Sequence, residues 1–329
     1  MEKFISLVIP NYNGSATLGK CLEAAFASRY GNFEVVVVDD CSTDDSIEII
    51  SRFPCTLVKL EKRSGVSAAR NRGAQSSRGE VLFFTDADCL VQEDALSLAN
   101  EAMAVNGNTV IGGTYTPLPA DTDFFSTFQS LFIHYSETKY KEPDYIAGHA
   151  MVIDAEAFRK TGGFDENFLP QSEDVEYSHR LRRNGYRLVM QPGILVTHIF
   201  NFTFLSSLRN AYRKSKYWTR YSLANKDVFA DSGTASKELK VGVACLFLNI
   251  MLVLLFLVRS NPLYLGVIPF LYVVDLYFLR NTIAFFTREK GTAYAILAAL
   301  YYTWVYAFAV GVGAFMGIVS WILARREKT

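Results

Sequence analysis

Short apolar runs punctuate the first half of the chain, each stopped by a polar cluster. Ile5–Pro10 is one, closed by its own proline. Phe33–Asp39 holds four consecutive valines, Val35 to Val38. A third run, Val81–Thr85, stops at Asp86. Unbroken branched and aromatic residues over such lengths suit parallel strands buried on both faces. Helical stretches are predicted between them, over 17–28, 46–52 and 66–76. Strands alternating with helices predict an α/β sheet with right-handed crossovers. Ligands of such sheets sit beyond the carboxyl ends of the strands. Asp39-Asp40 and Asp86-Ala87-Asp88 both fall at such ends.

Past Asn201 the pattern changes. Residues 201–240 read as a helix rich in Arg, Lys, Tyr and Trp, with eight basic residues against three acidic ones. A basic, aromatic stretch ahead of a membrane segment suits the anionic headgroup region. Three apolar stretches follow. Residues 241–258 carry no charge and would span about 27 Å as a helix. Residues 262–279 are similar but include Asp275, expected to be paired or interfacial near Arg280. Residues 292–323 are uncharged and would run to about 48 Å, beyond a ~30 Å hydrocarbon core. That excess predicts a tilt, an interfacial start or a break near Gly311, Gly313 and Gly317. Arg280, Arg288 and Lys290 fall between the second and third stretches, on the inner side if the N-terminal domain is inside. Three simple spans would then leave Arg325, Arg326 and Lys328 outside, a conflict that a re-entrant or split third segment would remove.

Composition narrows the classes. The 329 residues carry 33 basic and 33 acidic side chains, which gives no support to a nucleic-acid partner. The cysteines, Cys21, Cys41, Cys55, Cys89 and Cys245, are odd in number and none pairs as CxxC, so neither a disulfide framework nor a zinc site is indicated. The N-terminal apolar run is too short for a signal peptide. The expectation is a multi-pass protein of the plasma membrane with its N-terminal domain in the cytosol.

The candidate chemistry lies in an ordered series of motifs. Val8-Ile9-Pro10-Asn11-Tyr12-Asn13 opens it, followed by Val38-Asp39-Asp40-Cys41-Ser42-Thr43-Asp44 and by Gly65-Val66-Ser67-Ala68-Ala69-Arg70-Asn71-Arg72-Gly73. Asp86-Ala87-Asp88, Gly162-Gly163-Phe164-Asp165-Glu166, Glu173-Asp174 and His198 complete it. Each alone is weak, since an Asp-x-Asp triplet is common. In this order the series resembles the family 2 glycosyltransferases. That resemblance implies an inverting mechanism and a GT-A fold: a Rossmann-like nucleotide-binding α/β domain over residues 1–204. Residues 205–240 would then form a basic interfacial segment and residues 241–323 the transmembrane helices.

The residues also speak for themselves. A carboxylate at Asp40, with Asp39, can accept the ring N–H of a uracil or guanine; Pro10, Tyr12 and Asn13 stand in the neighbouring motif. Asp44 and Asp45 read as turn or cap residues. Asp86 and Asp88 flank Ala87 after a buried strand, hard oxygen ligands spaced for Mg²⁺ or Mn²⁺ on a diphosphate. The resemblance makes Asp88 the direct ligand and gives Asp86 the ribose or a metal-bound water. The guanidinium of Arg70 fits phosphate oxygens. Inverting transfer needs an acceptor hydroxyl deprotonated in line with the leaving group. The resemblance implies Asp174 as that base and Glu173 as its support; alone, both read as acids on a helix N-terminus. His198 is a candidate for metal or diphosphate, and Gly148 and His149 for the sugar site. Processive synthases carry Gln-x-x-Arg-Trp here. The nearest counterpart, Arg213-Lys214-Ser215-Lys216-Tyr217-Trp218, keeps only the Trp, so Trp218 is a sugar-site candidate and a single transfer is expected. Expected partners are a nucleotide-sugar, UDP favoured, a lipid-linked or glycan acceptor and membrane lipids. Two alternatives stay open: transfer to a polyprenyl phosphate, and a degenerate domain acting as a membrane scaffold or nucleotide-sugar sensor.

Overall fold

The computed structural model describes residues 2–105, 108–167 and 172–326. It divides into two compact units, Met1–Asn201 and Phe202–Thr329.

The first unit is built on one eight-stranded sheet. Its strands are β1 (Ile5–Asn11), β2 (Phe33–Asp39), β3 (Thr56–Lys59), β4 (Val81–Phe84), β5 (Cys89–Val91), β6 (Thr109–Tyr115), β7 (Met151–Asp154) and β8 (Arg187–His198). They lie in the order β3-β2-β1-β4-β7-β6-β8-β5. β1 to β4 are mutually parallel, with Ile5 opposite both Phe33 and Val81. β7 enters antiparallel to β4 and β6, and β5 antiparallel to β8. The continuous apolar runs of β1, β2 and β4 are the parallel strands, with Val35–Val38 and Val81–Phe84 buried. Burial on both faces removes the alternation that an exposed face would require.

Among the described residues, seven α-helices accompany the sheet: α1 (Ser15–Phe26), α2 (Ser46–Ile50), α3 (Val66–Ser76), α4 (Ala95–Val105), α5 (Phe124–Thr138), α6 (Ala155–Lys160) and α7 (Glu173–Arg183). α3 presses hard on the parallel strands at Gly73, where a Cβ would strike Val8. An aromatic cluster packs on the same face, in one core with Val8 and Ala74. Phe84 meets Phe158 at 5.2 Å and Phe164 at 5.4 Å, and Phe164 meets Tyr177 at 4.8 Å. Asn71 ties α3 to this cluster. Its amide donates to Phe164 O at 2.8 Å and accepts from Phe164 N at 2.9 Å.

The second unit is helical: α8 (Phe204–Asn225), α9 (Lys237–Arg259), α10 (Leu263–Lys290), α11 (Thr292–Leu300), a π-helical turn at Tyr301–Tyr306, and α12 (Ala307–Arg326). Thr203 and Ser206 form a reciprocal cap that starts α8. Three helical stretches, Lys237–Arg259, Leu263–Lys290 and Thr292–Arg325, are long and apolar enough to cross a membrane.

The helical unit departs from the sequence expectation in three places. The helix expected over 201–240 ends at Asn225, where Lys226 turns left-handed at φ 61°, and the chain becomes helical again at Lys237. No break falls near Gly311, Gly313 and Gly317: Thr292–Arg325 runs as one continuous helical stretch through the π turn at Tyr301–Tyr306. The glycines sit in regular helix and serve close packing: added Cβ atoms would strike Phe247, Tyr212 O and Lys216 O respectively. Asp275 is buried and does not pair with Arg280. It accepts a hydrogen bond from Thr303 and faces Gly242, while Arg280 lies over the Tyr277 ring at 4.0 Å. Lys328 lies outside the described residues.

Replacing Asn71 with Ala leaves the Phe164 N–H and C=O without their partner, at about 1–3 kcal/mol for each buried orphan. The solubilised protein should lose several degrees in its thermal midpoint. An unchanged midpoint would mean that α3 is held to the sheet by packing alone.

Candidate active site

The site forms where β1, β2 and β4 end. Asn11, the last residue of β1, donates to Asp39 Oδ1 at 3.0 Å and to Ser42 Oγ at 3.1 Å. The other Asp39 oxygen accepts from Ser42 N at 3.0 Å. Asn13 holds φ 50° and its side chain accepts from Thr43 N at 2.8 Å. Pro10 lies in β1 opposite Val38. Asp44 accepts from Ser15 N and Ser46 N, the capping work its sequence context indicates. Asp40 is buried and accepts from Ser64 N at 2.6 Å and Gly65 N at 2.8 Å. It therefore fixes the loop that starts α3, with carboxylate lone pairs left for a further donor. That loop brings Arg63 over the Tyr12 ring at 3.8 Å. Tyr12 is exposed, so this cation–π pair presents a flat surface to solvent.

Arg70 lies at the centre. It projects from α3 and is 3% exposed. Nη2 donates to Asp86 Oδ1 at 2.8 Å, and Nη1 donates to Glu173 Oε1 at 2.9 Å. The cation also lies 5.3 Å from the Phe164 ring centre. Gly148 backs the guanidinium so closely that a Cβ there would fall 2.6 Å from its central carbon. Burial works against the charge on Arg70, but Asp86, Glu173 and Asp174 more than offset it and raise its pKa. Burial also works against the charge on Asp86, yet Arg70 and then His149 hold its carboxyl below the usual range.

Asp88 has no such cation. Burial, and then the charge of Asp86, push its carboxyl up to about 7. Its side chain keeps 42% of its exposure, so cleft solvent tempers that rise. His198, the last residue of β8, brings Nε2 within 3.4 Å of Asp88 Oδ1, because β5 and β8 pair Cys89 with His198. The ligand atoms of Asp88, Cys89 and His198 lie within 4.8 Å of one another. The Cys89 thiol is held well above its normal pKa by burial and by Asp88, so it stays protonated and ligates hard cations poorly. An oxygen and an imidazole nitrogen beside surplus negative charge fit Mg²⁺ or Mn²⁺. Asp86 is committed to Arg70, so Asp88 and His198 are the better-placed ligands.

Asp174 sits in the first turn of α7. Its oxygens accept from Gly148 N at 3.2 Å and from Val175 N at 2.9 Å. Burial and the neighbouring Glu173 push its carboxyl up to about 6, against the pull of Arg70 and the two N–H groups. His149 stacks on Tyr115 at 4.0 Å, and its Nε2 lies 3.3 Å from Glu137, which also accepts from Thr114. Tyr115 meets His198 edge-on at 4.9 Å. Tyr115 thus joins His149 to His198 while Glu137 holds His149, and no motif marks either Tyr115 or Glu137. Trp218 belongs to the second unit, on α8, near Tyr221.

Residues 6–162 match the family model described as Glycosyl transferase family 2. The first unit carries a family 2 glycosyltransferase domain. Curated relatives include glycosyltransferase AglE of Haloferax volcanii, 27% identical over 206 residues, covering 59% of this chain and 66% of the relative. An uncharacterised glycosyltransferase of Haemophilus influenzae is 37% identical over 192 residues, covering 54% of this chain and 61% of the relative. The matched region is thus less than two thirds of either relative's length. The mannosyltransferase PcManGT from Pyrobaculum calidifontis, solved with GDP-Man and Mn²⁺, superposes with TM-score 0.60 at 17% identity, covering 98% of this chain and 88% of that one. S. aureus TarS 1–349 superposes at 0.51 and 18% identity, covering 91% and 90%. These likenesses show the GT-A fold that the sequence resemblance implies.

In the family 2 domain, Gly148→Ala should displace the Arg70 guanidinium and loosen Asp86 and Glu173 together. Mn²⁺-dependent nucleotide affinity should fall about ten-fold or more, ~1.4 kcal/mol, by calorimetry. Unchanged affinity would show that the guanidinium position does not matter to the nucleotide.

Proposed function

We propose that this chain is a membrane-anchored inverting glycosyltransferase. It would move a single sugar from a nucleotide-sugar to a hydroxyl of a lipid-linked saccharide or glycan at the cytosolic face, in cell-surface polysaccharide or glycolipid synthesis. The observation that carries the reading is the joining of Asp86 and Glu173 through one buried guanidinium. It sets the Asp-x-Asp carboxylates beside the acid pair at the start of α7.

The donor's nucleotide lies along the ends of β1 and β2. The Tyr12–Arg63 surface offers the base a stacking partner, and Asp39 and Asp40 shape the loops around it. A UDP-sugar is the favoured donor, and the like-folded PcManGT was solved with GDP-Man, so the base is decided by experiment. Asp88 and His198 would hold Mg²⁺ or Mn²⁺, which supplies neutralising charge at the departing diphosphate. Arg70 positions Asp86 and Glu173. Asp174 takes the proton from the acceptor hydroxyl as the oxygen attacks the anomeric carbon. Its raised pKa suits that task, because the conjugate acid lies near working pH. A phosphate acceptor, already ionised, would need no such base; the filled Asp174 position favours a hydroxyl.

The test is nucleotide release by reconstituted protein with UDP-, GDP- and dTDP-sugars and either metal, with and without lipid extract. Metal-dependent release of one nucleotide, stimulated by lipid and lost in Asp88→Ala, is expected. Binding of no nucleotide would sink the proposal in favour of a scaffold.

Asp174→Asn should abolish transfer and leave nucleotide affinity near wild type; wild-type turnover in this variant would remove Asp174 as the base. The base must be ionised to act, and its pKa is raised to about 6. Turnover should therefore hold above that pH and fall about ten-fold per pH unit below it. A profile flat down to about pH 5 would contradict the assignment.

A further inference from the structure

The third apolar segment has the length to cross a bilayer, but its neighbours argue against it. α8 lies along this segment. The Tyr301 hydroxyl donates to Ser207 Oγ at 2.9 Å, and Ser215 donates to Val310 O at 2.7 Å. Further on, the α8 backbone at Tyr212 and Lys216 presses onto Gly313 and Gly317. Contact therefore runs from residue 301 to 317, about 24 Å of helix. Those residues are the middle of the Thr292–Arg325 stretch. If that stretch spanned the membrane, α8 would lie at the bilayer centre.

α8 cannot be at home there. It carries Arg209, Arg213, Lys214, Lys216 and Arg220. Among the described residues none of these five has a carboxylate partner, and Arg209, Arg213 and Lys214 are exposed. Unpaired cations at the hydrocarbon centre are strongly disfavoured. Two further observations agree. Tyr302 hydrogen-bonds with Ser236, the cap at the start of α9, so residue 302 lies level with the beginning of the first span. Among the described residues, no other helix covers the far end of the α9–α10 hairpin: Leu254, Leu257, Val258, Leu263 and Phe270 are 57–77% exposed. A third span would cover part of that end.

We propose that only α9 and α10 cross the membrane. α8 and α12 pair as a layer in the interface, on the side from which α9 enters. Trp304, in the π-helical turn, lies 5.4 Å from Tyr272 of α10, and Phe308 stacks on Phe247 of α9 at 5.8 Å; their outer faces, with Phe315 and Ile322 of α12, are exposed and rest on the acyl chains. The cations of α8 meet the phosphates of anionic bilayer lipids. A cavity of about 530 Å³ along α8, lined by Arg209, Asn210, Arg213, Lys216 and Tyr217 among others, would seat a lipid headgroup. This topology keeps Arg325 and Arg326 on the same side as Arg288 and Lys290, which removes the conflict in the charge pattern. It rests on the reading of this chain as a membrane protein, and not on which side holds the donor.

The test compares three single-cysteine variants in intact cells and after permeabilisation, using a membrane-impermeant maleimide in a background lacking the native cysteines. Glu61→Cys reports the first unit, Ser260→Cys the α9–α10 turn and Arg325→Cys the end of α12. Arg325→Cys should label together with Glu61→Cys, and Ser260→Cys on the opposite side. Arg325→Cys labelling with Ser260→Cys, or Ser260→Cys labelling with Glu61→Cys, would overturn the topology. Should the cysteine-free background fail to express, brominated lipids serve instead, with Trp304 left as sole tryptophan by Trp218→Phe and Trp321→Phe. Shallow bromines should quench it more than deep ones, and the reverse order would overturn the proposal. For the lipid partner, phosphatidylglycerol should raise the thermal midpoint of the solubilised protein above its value in phosphatidylcholine. The triple variant Arg209→Gln, Arg213→Gln, Lys216→Gln should lose that shift, and inorganic phosphate should not reproduce it. A shift kept by the variant would overturn the headgroup contact.

Discussion

One buried guanidinium organises the first unit. Arg70 is shut off from water, and such a cation is tolerable only with close, well-oriented anions. Asp86 and Glu173 supply them at 2.8 and 2.9 Å, from a strand end and a helix start. Gly148 lets the backbone approach, and Phe164 floors the group. Each of these residues belongs to a different element. The guanidinium therefore fixes β4, α7 and the turn before β7 relative to one another. It also leaves the cluster short of positive charge, with Asp88 and Asp174 carrying the surplus. Both have raised pKa values for the same physical cause, burial beside a second carboxylate.

That surplus ties the fold to the chemistry. Asp88 opens to the cleft next to His198, where a divalent cation and a diphosphate would complete the charge balance. Asp174 is held by two backbone N–H groups and faces no cation directly, so it can carry and lose a proton near neutral pH. Under the proposed function, two carboxylates in neighbouring environments would take different tasks.

The parallel half of the sheet was readable from the chain. Phe33–Asp39 and Val66–Ser76 form the strand and helix expected, because buried valines and a Gly65 start leave few alternatives. The motif positions were readable too, but their partners were not. Arg70 meets Glu173 across 103 residues, and no local pattern signals that distance. Asp40 shows the same gap: its context suggests a base ligand and gives no sign that its oxygens also hold the Ser64–Gly65 loop. Tyr115 and Glu137 had no signal, since a tyrosine in a strand and a glutamate in a helix are ordinary. In the helical unit, apolar length located the segments, but the end of α8 at a left-handed Lys226 carries no glycine to announce it. The glycines of α12 signalled a break by composition, and their use is close packing on α8.

The most direct test of the account is a double-mutant cycle on Mn²⁺-dependent nucleotide affinity, with Asp86→Asn, Glu173→Gln and the pair together. If Arg70 couples the two carboxylates, the losses should be non-additive by about 1 kcal/mol or more. Losses that add to within about 0.3–0.5 kcal/mol would show two independent sites and contradict the central role given to the guanidinium.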